Sequence, residues 1–142
     1  MTSFRIDKPS VVDFEKPVNF TFDGRSYRGF AGDTVASALL ANGVYLFGRS
    51  FKYHLPRGVM GAHVEEANAL ITIGRGAHAE PNLQATTIPV TEGMEVFSQN
   101  RWPSLKLDLL SINQLAAPLL SAGFYYKTFM GPTKRSWMLY EP

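Results

Sequence analysis

Alternation of apolar and polar residues gives the first element. Val18, Phe20 and Phe22 alternate with Asn19 and Thr21, the period of a half-buried strand. Asp23-Gly24 follows as a hairpin signal, because glycine reaches positive φ at no steric cost. Ser26–Phe30 then returns as the partner strand. From Gly32 the period changes to that of a helix. Val35, Ala38, Leu39 and Asn42 form one stripe, widened by Ala36 and Leu40. Asp33 or Thr34 supplies the N-cap, and Asn42-Gly43 the stop, with Gly43 suited to the left-handed position.

Beyond the helix the pattern loosens. Val44–Phe47 is a short apolar run, fitting a buried strand or an extended segment, and a long irregular stretch leads from it to a strand over Ala69–Ile73. Gly74–Pro81 is expected to be a flexible connection, Thr86–Val90 an edge strand because Pro89 cannot donate to a central ladder, and Gly93–Ser98 the last strand. Leu105, Leu109, Ile112 and Ala116 predict a helix over Ser104–Ala117, stopped by Pro118. The order is hairpin, helix, strand, long loop, strand, strand, which predicts an α+β fold: a small mixed sheet on one main helix. The expected organisation is an N-terminal arm over 1–16, a domain over 17–99, and a helix with an extended tail over 100–142.

Composition narrows the chemistry. The chain has 142 residues, 45% apolar and 18% charged, enough for one folded domain with a core. Cysteine is absent, so disulfides, thiolate zinc sites, Cys-ligated iron–sulfur clusters and cysteine nucleophiles are excluded. A formal charge of +2 does not argue for nucleic acid. No apolar run reaches membrane-spanning length, and MTSFRIDKPSVVDFEK does not resemble a signal peptide, so a cytoplasmic protein is the expectation. His63, Glu65, Glu66 and His78 are the one local group of possible metal ligands, without zinc-site spacing. No phosphate-binding glycine motif and no nucleophile elbow occurs.

Two surfaces invite a partner. Arg49, Lys52, His54 and Arg57 lie within nine residues, interleaved with Phe51 and Tyr53. That patch fits a solvated face, a docking surface for a subunit or, less well, a nucleic-acid reader. The tail carries Phe124, Tyr125, Tyr126, Phe129, Trp137 and Tyr140 without a sustained period. Together with Arg101-Trp102 it has the composition of a permanent interface, the alternative being that it packs on its own domain. The expected contact residues are Arg49, Lys52, Tyr53, His54, Arg57, Arg101, Trp102, Tyr125, Tyr126 and Lys127.

GDTVASALLANGV, GRSFKYHLPRG, VEEANALITIG, SQNRWPSLKLD and AGFYYKTFM, in this order, resemble the N-terminal region of the α subunits of heterotetrameric sarcosine oxidases. The resemblance implies a β-grasp domain of the [2Fe–2S] ferredoxin type. The plant-type spacing C-x₄-C-x₂-C, laid on this sequence, puts the ligand places at Gly61, Glu66 and Ala69, with the fourth near Thr86. None is a thiolate, so the resemblance implies a cluster-free domain with no catalytic or cofactor residue of its own. It also implies a complex that oxidises sarcosine or a related secondary amino acid with FAD, FMN, NAD and tetrahydrofolate bound elsewhere. On this reading the chain is a structural part of that complex, either a first domain or a small subunit, with protein partners and neither nucleic acid nor membrane. A free-standing β-grasp binding module, ubiquitin-like or RNA-binding, is the rival. The loop itself leaves one question open: whether Glu66 is buried as an anchor or exposed as a rim charge.

Overall fold

The computed structural model describes Arg5 and residues 11–116. The first hairpin forms as the turn chemistry dictates. Strand β1 (Asp13–Phe22) pairs antiparallel with β2 (Arg25–Ala31), and Phe22 lies opposite Arg25. The two loop residues have positive φ, 49° at Asp23 and 77° at Gly24, matching a type I′ turn. β1 begins before Pro17, so part of the segment expected to be an arm is in the sheet.

The sheet has the order β2-β1-β7-β5-β6, with β5 at Leu70–Ile73, β6 at Glu80–Gln84 and β7 at Glu95–Ser98. β1 and β7 are parallel and the other pairs antiparallel. Helix α1 (Val35–Ala41) packs on this sheet, giving the α+β β-grasp architecture. A second small sheet joins β3 (Gly48–Arg49) to β4 (Pro56–Arg57). Phe20 and Phe22 from β1, Leu39 and Val35 from α1, Ile71 from β5 and Val96 from β7 close the core around Phe47. Each such side chain contributes roughly 1.5–3 kcal/mol by leaving water. At Gly29 a Cβ would lie 3.1 Å from that of Ala38, so glycine lets the helix approach β2.

Thr34 is the N-cap, in a reciprocal capping box with Ser37. Asp33 is freed for another task. Its buried carboxylate receives the Arg5 guanidinium through both oxygens, together with Phe30 N–H and the Ser37 hydroxyl. Arg5 lies over the rings of Phe14 and Phe30, 5.8 and 5.2 Å from their centres.

Three expectations fail, each for a local reason. Gly74–Pro81 is not wholly a connection, because β6 starts at Glu80. Asn82 there has φ of 62° and the β5–β6 register shifts beside it, a bulge on an edge strand that tolerates Pro81. Thr86–Val90 makes no strand. It lies across the start of α1, where Ala85 and Ile88 carbonyls accept the Ala36 and Val35 N–H groups. The expected α-helix over Ser104–Ala117 is a 3₁₀ helix over Leu109–Ala116, preceded by a turn closed between Ser104 and Leu107. Of the two forms open to it, Val44–Phe47 takes the extended one, with Phe47 N–H bonded to Arg57 O.

Candidate functional site

The long loop is built around one carboxylate. Glu66 is fully buried. Its Oε2 accepts the N–H groups of Met60 and Gly61 at 2.6 and 2.7 Å, and its Oε1 those of Asn68 and Ala69 at 2.5 and 3.0 Å. Burial pushes the carboxyl up, but N–H bonds from Gly61, Asn68, Ala69 and Met60 outweigh it and hold the group at about 2. A short 3₁₀ turn, His63–Glu65, presents Glu66 to these donors. The end of β6 clamps the turn from outside. Gln84 donates to the Val64 and Glu66 carbonyls at 3.0 and 2.9 Å, and the Thr86 hydroxyl to His63 O at 2.6 Å.

The four positions that the resemblance implies for cluster ligands therefore lie together in space. Gly61 and Ala69 reach the Glu66 carboxylate through their N–H groups, and Thr86 bonds the turn that carries it. The residues do not fit a cluster. Gly61 and Ala69 have no ligating side chain, and a Cβ at Gly61 would lie 3.0 Å from Glu65 O. Each Glu66 oxygen already accepts two bonds. His63, Glu65 and His78 are exposed, and no group of three possible metal ligands occurs among the described residues.

The basic segment is turned inward more than its composition suggests. Arg49 donates to Leu105 O at 2.9 Å and to His54 O at 3.1 Å. His54 is buried at φ of 52°, and its Nδ1 lies 2.7 Å from Asp108 Oδ2. The other oxygen of Asp108 accepts the Trp102 and Leu110 N–H groups at 3.0 and 3.3 Å. Burial raises the Asp108 carboxyl, but these N–H groups and His54 lower it further, below the usual aspartate range. Arg57 reaches Asn68 Oδ1, and Lys52 lies 5.4 Å from the centre of the Tyr53 ring. Arg101 is held by Asp23 at 2.7 Å and by the Ser98 hydroxyl. Trp102 is 57% exposed. Tyr125, Tyr126, Lys127 and the rest of the aromatic tail lie outside the described residues.

Asp108 and the ion pair of Asp23 with Arg101 have little local signature in the sequence. For Asp108 that signature is a cap pattern, an aspartate opening an apolar run with serine three residues on. The Asp108 Oδ1 accepts the Leu110 N–H at 3.3 Å, as an N-cap side chain does. Asp23 had only its turn propensity to show.

Residues 15–101 match the family described as "2Fe-2S iron-sulfur cluster binding domain". The chain is 57% identical over 142 residues, all of its length, to the sarcosine oxidase subunit alpha of Rhizobium meliloti (strain 1021), of which it covers 14%. It is 45% identical over 86 residues, 58% of its length, to the subunit of the same name from Corynebacterium sp. (strain U-96), of which it covers 9%. A crystal structure of L-proline dehydrogenase from P. horikoshii superposes with a TM-score of 0.49 at 26% identity, over 61% of this chain and 16% of that one. The chain thus spans a small part of the curated relatives it matches. It belongs to the 2Fe-2S iron-sulfur cluster binding domain family, lacks every cysteine that such a cluster needs, and is a homologue of the sarcosine oxidase α subunit.

Proposed function

We propose that this chain forms the ferredoxin-type region of the α subunit of a sarcosine-oxidase-like flavoenzyme and works there as a structural and assembly domain. The observation that carries the reading is the buried Glu66 carboxylate, which accepts N–H bonds from Gly61 and Ala69, at two of the implied cluster-ligand places, and from Met60 and Asn68 beside them. A loop filled in this way keeps the fold of an electron carrier without the centre that carries electrons. The enzyme as a whole would oxidise sarcosine or a related secondary amino acid with oxygen. FAD, FMN, NAD and tetrahydrofolate would bind outside these residues. The domain would begin with β1 at Asp13 and run to residue 99, and 100–142 would lead to the partner, with Lys52, Tyr53, Arg57, Arg101, Trp102, Tyr125, Tyr126 and Lys127 as its contacts.

Affinity purification of the full chain from its own cells tests this. Co-purification of flavoprotein subunits, flavin absorbance without iron, and sarcosine-dependent oxygen uptake are the expected result. Stoichiometric iron and sulfide in the domain would overturn the structural role. Retention of RNA with no flavoprotein would favour a free-standing binding module.

A further inference from the structure

Four N–H groups from two separate stretches of the loop converge on one point. Met60 and Gly61 approach from one side, Asn68 and Ala69 from the other, all within 3.0 Å of a Glu66 oxygen. Among the described residues the other buried carboxylates have a basic side chain as a partner: Arg5 for Asp33 and His54 for Asp108. Glu66 is held by backbone amides. Successive amides aimed into a concavity make a site for an anion, and their dipoles favour negative charge where water is excluded. The donors come in two pairs, one pair per oxygen, a geometry that suits a planar carboxylate.

We propose that this loop is a carboxylate-binding cradle whose resident ligand is the Glu66 side chain, standing in for an inorganic cluster, and that the cradle takes a small carboxylate from solution once Glu66 is shortened. The inference rests on the cluster-free reading of the loop. In the native chain the ligand is covalently attached, so it meets the cradle at high effective concentration and never dissociates. Glu66→Ala removes a CH₂–COO⁻ group, which acetate replaces atom for atom. Glu66→Gly removes one carbon more, which propionate replaces.

The test is thermal unfolding of the full-length Glu66→Ala chain at pH 7 in acetate, in neutral acetamide, and in chloride at equal ionic strength. Acetate is expected to raise the midpoint of the variant by several degrees, saturably, while acetamide and chloride do not and the unaltered chain does not respond. Glu66→Gly is expected to prefer propionate. If Glu66→Ala fails to fold in chloride, recovery of cooperative unfolding in acetate and not in acetamide is the same positive result. No advantage of acetate over acetamide in either variant overturns the cradle. Iron and sulfide analysis of the unaltered chain keeps the two claims apart: metal there overturns the cluster-free reading, whereas absence of rescue in iron-free protein overturns the cradle alone.

Discussion

Two segments of this molecule are closed on buried carboxylates, and they satisfy the charge by different means. Glu66 takes amides from residues 60, 61, 68 and 69, so its lock is local and folds one loop on itself. Asp108 takes the His54 imidazole from 54 residues away and the Trp102 and Leu110 amides nearby. Its lock is long-range and fastens the basic segment to the stretch after β7. The difference teaches what each part is for. A loop that gathers its own amides around its own carboxylate is preserving a shape. A long-range bridge with Arg49 bonded across it pins the basic segment to residues 102–110.

The largest expected effect is at the local lock. Glu66→Ala leaves four donors without their acceptor, each worth about 1–3 kcal/mol if it stays dry. Even with water entering, urea unfolding should show a loss of about 3 kcal/mol or more. Acid should act on the same group. Its folded value of about 2 lies below the 4.5 of an ordinary glutamate, so its contribution is full above about pH 4.5 and is lost as pH falls toward 2. That contribution is about 3 kcal/mol, and Glu66→Gln should flatten this limb of the stability curve. Asp108 loses its contribution in the same direction, so a fully acid-resistant profile would contradict both locks.

At the long-range lock, a double-mutant cycle over His54→Ala and Asp108→Asn should give a coupling of about 1–2 kcal/mol. A coupling near zero would make the pair incidental and remove the contrast. The smallest effect on folding is expected at Trp102→Ala. An exposed side chain away from caps and core should change stability by no more than about 0.5 kcal/mol. The same change should weaken retention of partner subunits on a column, which sharpens the division between the parts that hold the domain and the part proposed to meet its neighbours.

How much of this was legible in the sequence follows from the range of each signal. The hairpin at Asp23-Gly24 and the helix from Thr34 to Gly43 were readable because turn, cap and stop residues act within four positions. β6 was hidden by Pro81 and the positive φ of Asn82, which read as a turn and make a bulge. Residues 86–90 looked like a strand because of their β-branched side chains, yet the Ile88 carbonyl serves the helix start together with that of Ala85 before them. The resemblance suggested Gly61, Glu66, Ala69 and Thr86 as ligand places, and in the structure Gly61, Ala69 and Thr86 lie around the Glu66 turn. Whether Glu66 was anchor or rim charge depended on burial, which spacing cannot carry. His54 and Asp108 were invisible as a pair, since nothing local links residues 54 apart.

Amide hydrogen exchange on the unaltered chain and on Glu66→Gln tests the central claim most directly. Met60, Gly61, Asn68 and Ala69 are expected to be protected together in the unaltered, iron-free protein. In Glu66→Gln the amide NH₂ faces one pair of donors, so that pair should lose protection first while the β1–β2 ladder keeps its own. Fast exchange of these four amides in the unaltered chain, or equal protection in the variant, would contradict the claim that this carboxylate holds the loop.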